Sequence, residues 1–188
     1  MNEIRRYFEK FAPISDRDWE VFSSKIVRRE FSKKSLLLKV DQKENYLSYI
    51  EKGIVRFCIP TEFEDLTFGF AFAGNFVSAY DFFLTQKPST YQLETITETI
   101  LWSVTYDDLQ HIYSETEIGN KIGRLAGEDL FLKKSIRELT LLTDSAEQRY
   151  LNLFTEQPHL LQLIPLKYIA SYIGITPQAL SRIRKRIS

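Results

Sequence analysis

The sequence predicts an α+β protein in three consecutive parts: a sandwich or roll of short strands over residues 1–115, a long helix over 116–143, and a helix-turn-helix segment over 144–188. Three observations carry that division. Apolar residues alternate with period two through much of the first part, the mark of half-buried strands. From Thr116 to Leu142 the period becomes helical without a single proline. The tail then combines caps, a turn glycine and a run of cations in the spacing of two short crossed helices.

Within the first part, the first dozen residues and Ser15 to Ser24 read as short helices. Ser15 is placed as the N-cap of the second, with Asp16 and Asp18 in the first turn, where carboxylates favour the helix dipole. Strands follow. Tyr46 to Ile50 and Ile54 to Ile59 are β-rich runs, expected to form a hairpin through Glu51-Lys52-Gly53, where glycine can supply positive φ. Leu66 to Ala73 sets Leu66, Phe68, Phe70 and Phe72 on one face and Thr67, Gly69, Ala71 and Ala73 on the other. Tyr91 to Thr97 and Ile100 to Thr105 complete the expected antiparallel assembly.

A helix over the middle part would be roughly 40 Å long at ~1.5 Å per residue. Ile118, Ile122, Leu125, Leu132, Ile136 and Leu139 follow an alternating four-three spacing, broken only at Asp129, which is the seam of a short coiled coil. Gly119, Gly123 and Gly127 form a strip on another face. Each glycine costs about 0.8 to 1 kcal/mol against alanine in a helix, so close approach of another backbone is the expected compensation. Lys133, Lys134 and Arg137 replace the strip further on, leaving only the seam apolar. A symmetric partner helix is the simplest cover for it, giving a homodimer.

Ser145 heads Ser145-Ala146-Glu147-Gln148, a capping box that opens a helix ending near Glu156, before Pro158. The segment from Leu166 to Arg186 has helix-turn-helix spacing. Ile169, Ala170 and Ile173 present one face of a first helix, and Gly174 makes the turn. Thr176 caps a second helix that starts at Pro177, with Leu180 and Ile183 facing inward. A helix of this kind enters the major groove with its N-terminal residues at base edges. Gln178, Ser181 and Arg182 are therefore the expected base readers, since glutamine pairs with adenine and arginine with guanine. Lys167, Tyr168, Ser171, Arg184, Lys185 and Arg186 are assigned to phosphates.

Charge supports this placement once the chain is divided. The 188 residues carry 25 Lys+Arg against 25 Asp+Glu, a formal net charge of zero. Residues 158–188 nevertheless hold Lys167, Arg182, Arg184, Lys185 and Arg186 with no Asp or Glu, so the tail is +5 and the remainder −5. Between Arg56 and Lys121 the single basic side chain is Lys87, among ten acids. A solvated charged tail is the bland alternative, and the embedded helix-turn-helix spacing argues against it.

Composition excludes other classes. With 44% hydrophobic residues there is ample material for a core, and the chain is not an acidic disordered one. Cys58 cannot form an internal disulfide and is expected to fill a strand interior. His111 and His159 stand apart from it and from each other, too few for a structural zinc site, and haem ligation by either is not expected. The sequence has no P-loop, no Gly-x-Gly-x-x-Gly and no HExxH, so no enzyme is expected. Charges every few residues at the N-terminus and the lack of an apolar run of about 18 residues point to the cytoplasm and away from a membrane.

Strands, long helix and C-terminal helix-turn-helix come in the order of the Crp/Fnr family of transcription regulators, which this chain resembles over nearly its whole length. The stretch from Pro165 to Lys185, Ala-Glu-Gln-Arg-Tyr at 146–150 and Gln-Lys-Pro-Ser at 86–89 look like its Bacteroidetes-type members. The resemblance implies a double-stranded β-helix of the cyclic-nucleotide-binding type, dimerisation through the long helix, and double-stranded DNA as partner at an inverted-repeat operator. Control of transcription also brings in RNA polymerase as a partner. Cyclic-nucleotide members carry Gly-Glu and a later Arg-Ser/Thr-Ala for ribose and phosphate, whereas this chain has Gly74-Asn75-Phe76 and no arginine in Lys87-Pro88-Ser89-Thr90-Tyr91. A buried phosphate without a cation is costly, so cyclic AMP is not expected to bind and no cofactor is assigned. The alternative reading is a sensor module whose roll takes an apolar or neutral effector, at Phe72, Gly74, Asn75, Phe76, Tyr80 and Tyr91, with DNA binding secondary. Only Pro158 to Pro165 separates the helices that would flank the family's β-hairpin wing, so no wing is expected.

Overall fold

The chain opens with α1 (Asn2–Glu9) and α2 (Asp16–Ser24), the second capped as its sequence demands: Ser15 Oγ accepts a hydrogen bond from the Asp18 N–H at 3.1 Å. The computed structural model describes residues 1–187, and Ser188, the last residue of the expected helix-turn-helix segment, lies outside them. The strands β1 (Val27–Phe31), β2 (Leu36–Leu38), β3 (Tyr46–Lys52), β4 (Ile54–Ile59), β5 (Leu66–Phe72) and β6 (Phe76–Val77) precede α3 (Tyr80–Thr85). Then come β7 (Gln92–Thr95), β8 (Thr99–Thr105), α4 (Tyr106–Glu115), α5 (Gly119–Thr143), α6 (Ala146–Glu156), α7 (Pro158–Leu163), α8 (Leu166–Tyr172) and α9 (Pro177–Ile187). Contacts divide the described residues into two compact units, Met1–Cys58 with Phe70–Asp129 and Ile59–Gly69 with the chain from Leu130 on.

In the first unit two four-stranded sheets, ordered β1-β8-β3-β6 and β2-β7-β4-β5, face each other. Ile50, Val77 and Leu101 from one sheet and Leu38, Val55, Ala71 and Leu93 from the other form a single buried cluster. Burying such a side chain fully contributes about 1.5–3 kcal/mol, which makes this the main stabilising layer of the roll. A second cluster joins Ile4 and Phe8 of α1, Phe22 of α2, Phe83 of α3, Leu109 and Ile112 of α4 and Ile122 of α5.

One expectation for the strands needs correction. The runs expected to pair through Glu51-Lys52-Gly53 lie in different sheets: β3 pairs with β6 and β8, while β4 pairs with β7. Gly53, at φ +109, is the corner where the chain passes from sheet to sheet. Period two and a positive-φ glycine look the same at a hairpin and at a corner, so the sequence does not separate them. On β5, the small residues Thr67 and Ala71 are the buried ones and Phe68, Phe70 and Phe72 are half-buried. Cys58 is buried in β4, and the buried Arg56 on the same strand pairs at 2.5 Å with Glu94, its register partner on β7. A cation taken out of water here is neutralised within the sheet rather than offered to a ligand.

Helix α5 explains its own glycines in part. A Cβ built on Gly123 would lie 2.6 Å from Tyr113 Oη and 2.9 Å from its Cζ, so the missing side chain admits the Tyr113 ring of α4. Burial pushes the Tyr113 phenol up to about 12. Gly127, by contrast, faces open space.

Candidate nucleic-acid interface

In the second unit, α8 and α9 are set by local chemistry. Thr176 Oγ1 accepts from the Ala179 N–H at 3.2 Å, and Pro177 occupies the first helical position, where no N–H is needed. Gly174 takes φ +77, the left-handed conformation that side chains resist. Ala170 and Ile169 of α8 and Leu180 and Ile183 of α9 are buried, which fixes the outward face of α9. The segment between α6 and α8 forms the short helix α7, and no strand occurs among the described residues from Leu130 on.

Gln178, Ser181 and Arg182 are all exposed on that outward face, on one side of one helix. Lys185 and Arg186 continue it, and with Ala179, Arg182 and Ile183 they line a shallow depression on α9. Lys167 is exposed near the start of α8, its Nζ 4.9 Å from the Tyr168 ring centroid, and Arg184 is exposed on α9. Arg186 and Ser171, both expected phosphate ligands, have protein partners. Arg186 Nη2 donates to Glu147 Oε2 of α6 at 2.7 Å, an exposed pair that a phosphate could displace. Ser171 is engaged on both sides with Thr67, accepting from its N–H at 2.7 Å and donating to its C=O at 3.2 Å.

The long-helix seam divides. Ile122 is buried and Ile118 packs against the same cluster, while Leu125 is half-buried. Leu132, Ile136 and Leu139 are 60%, 65% and 60% exposed. A row of three such side chains in water is an apolar stripe without cover in the single chain.

The six residues of the expected effector pocket are not gathered into one cluster: Phe76 and Tyr80 lie in one, Tyr91 lies in the other, and Phe72, Gly74 and Asn75 belong to neither. Phe76 packs against Tyr7, Phe8 and Tyr49 with ring centroids 5.0, 5.2 and 5.4 Å away. Tyr80 stacks on Phe83 at 6.0 Å in the same cluster. Tyr91 lies in the roll's other cluster against Phe57 and Phe82, and its hydroxyl donates to Asp81. Burial first, and then that bond, raise the Tyr91 pKa. Gly74 and Asn75 form the exposed turn after Phe72, whose carbonyl accepts from the Asn75 amide at 3.5 Å. Lys87, within the expected phosphate segment, is exposed.

Several residues that organise the interface escaped the sequence reading. Arg137 Nη2 donates to the Tyr172 C=O, 35 positions on, and Arg149 Nε to the Ile173 C=O, 24 positions on. Thr67 meets Ser171 across 104 positions and Glu147 meets Arg186 across 39. Such pairs leave no local spacing to read.

Residues 28–116 match the family model for the cyclic nucleotide-binding domain. No curated protein sequence matches the chain significantly. Among solved structures, the c-di-GMP responsive global regulator CLP of Xanthomonas campestris superposes with a TM-score of 0.69 at 18% identity, covering 92% of this chain and 91% of that one. FixK2 from Bradyrhizobium japonicum gives 0.67 at 15% identity over 86% and 84% of the two chains. A protein described as a transcriptional regulator of the crp/fnr family from Eubacterium rectale gives 0.71 at 13% identity over 97% and 87%. Residues 28–116 are therefore similar to the cyclic nucleotide-binding domain, and the chain shares its fold with solved structures that include a transcriptional regulator of the crp/fnr family.

Proposed function

We propose that the protein is a homodimeric, sequence-specific DNA-binding transcription regulator. The observation that carries this is α9, whose inward face is the buried pair Leu180 and Ile183 and whose outward face exposes Gln178, Ser181, Arg182 and Lys185 with no acid on the helix. Arg182 and Gln178 read base edges, while Lys167, Tyr168, Arg184, Lys185 and Arg186 contact phosphates. The exposed seam at Leu132, Ile136 and Leu139 supports a second copy as its cover. Two α9 helices then enter successive major grooves about 34–36 Å apart on an inverted repeat.

DNA binding on this reading does not need cyclic AMP. The roll's buried arginine is spent on Glu94, Lys87 points to solvent, and Phe76, Tyr80 and Tyr91 are packed into the roll's two clusters. No group in that description suits a buried phosphate.

The test is fluorescence anisotropy on a duplex selected from random DNA. Affinity is expected to fall steeply with salt, through counterion release, and to stay unchanged on adding cyclic AMP. Arg182→Ala should lose about 1–3 kcal/mol of discrimination between the selected and a mismatched duplex while keeping its melting temperature. Equal discrimination in parent and variant removes Arg182 from the reading role.

A further inference from the structure

The C-terminal end of α8 is fastened by three segments distant from it in sequence. The first is β5. It stands at the edge of the sheet order β2-β7-β4-β5, where backbone groups face away from any neighbouring strand. Thr67 is nevertheless buried, so its N–H and C=O need a partner other than bulk water. The Ser171 hydroxyl, at once donor and acceptor, supplies both bonds, at 2.7 and 3.2 Å.

The second segment is α5 and the third is α6. The Arg137 guanidinium donates to the Tyr172 C=O at 2.7 Å and lies 3.7 Å from the Tyr172 ring centroid. Burial lowers the Arg137 pKa, yet an arginine stays charged. Arg149 donates through Nε to the Ile173 C=O at 2.8 Å and through Nη1 to the Leu141 and Asp144 carbonyls, at 3.3 and 2.6 Å. Two consecutive carbonyls at the end of α8 thus accept charged donors, at the terminus where a cation also favours the helix dipole. Arg149 ties that same end to the last carbonyls of α5.

We infer that Ser171 and Arg137 are positioning residues that fix the angle at which the helix-turn-helix leaves the end of α5, and that this angle sets the half-site spacing the dimer accepts. The inference rests on the DNA-binding reading above, and it moves Ser171 from the phosphate contacts to Thr67. Its physical basis is the pitch of DNA. Moving a half-site by one base pair rotates it by about 34° and shifts it by about 3.4 Å. A reader held at three points cannot follow such a move without giving up base contacts. A reader released at one or two of them can.

The experiment compares the full-length parent, Ser171→Ala, Ser171→Thr and Arg137→Lys on duplexes that keep the selected half-sites and change the spacer by one or two base pairs. The parent is expected to prefer the selected spacing by about tenfold or more, roughly the loss of one good base contact. Ser171→Ala and Arg137→Lys should narrow that preference to within about threefold while binding a single half-site as the parent does, and Ser171→Thr, which keeps the hydroxyl, should restore it. Melting curves confirm that each variant is folded. If folded Ser171→Ala and Arg137→Lys both keep the parent's spacing preference, the inference is overturned. A parent that binds no selected duplex at all overturns the DNA-binding reading instead.

Discussion

The two halves of α5 carry one seam with one spacing and meet opposite fates. Ile122, in the first half, is 2% exposed and belongs to the core built by α1, α2, α3 and α4. Leu132, Ile136 and Leu139, in the second half, are all 60% exposed or more. The strip of small residues behaves in the same way: Gly123 admits the Tyr113 ring, and Gly127 meets nothing within 4 Å. Spacing alone therefore says that a helix has an apolar face. Whether that face belongs to the chain's own core or to a second chain depends on what the rest of the fold brings to it.

The largest expected effect lies in the second half. On the proposed dimer, Ile136→Glu combined with Leu139→Glu should leave only monomer at micromolar concentration, read by sedimentation or light scattering, with the melting of each chain otherwise preserved. Four like charges across a two-fold seam cannot be desolvated together. Persistence of the dimer would show that another surface holds the two copies.

A milder pair sets the halves against each other. Ile122→Ala should cost about 2–5 kcal/mol of unfolding free energy, because it opens a cavity in a closed core. Ile136→Ala should lower the stability of the chain itself by less than about 1 kcal/mol, the rest of its effect appearing only as a dependence on protein concentration. Equal, concentration-independent losses would erase the distinction.

The smallest effect is a difference in sign between two glycines. Gly127→Ala should stabilise the helix by about 0.5–1 kcal/mol, since alanine finds open space there and restricts the unfolded chain. Gly123→Ala must displace the Tyr113 ring and should destabilise, by about 1–3 kcal/mol. Chemical denaturation resolves both. A gain at both positions would mean that the ring moves aside freely.

Much of the reader was legible in the sequence. Ser145 caps α6 by accepting from Gln148, α6 ends at Glu156, Thr176 caps α9 and Gly174 makes the turn, each as its residues required. These features depend on groups three or four positions apart, so a short window contains all the atoms that decide them. In the roll β3, β4, β5, β7 and β8 were legible as strands, whereas β1, β2 and β6 and the topology were not. β3 and β4 flank a glycine corner, not a hairpin, because the competing sheet partners lie far away on β8 and β7. On β5 the alternation separated an aromatic face from a small one without saying which is buried; Thr67 and Ala71 are the buried residues.

By itself, then, the sequence determined the order of strands, long helix and helix-turn-helix, the caps that bound the helices, and the cationic outward face of α9. All of these follow from the periodicity of side chains and from short-range hydrogen bonding. Tertiary structure alone decided which half of the α5 seam is buried, that Phe76 and Tyr80 lie in a different cluster from Tyr91, and that Ser171 serves Thr67. Those outcomes depend on groups up to 104 positions apart, brought together by burial that no local pattern encodes.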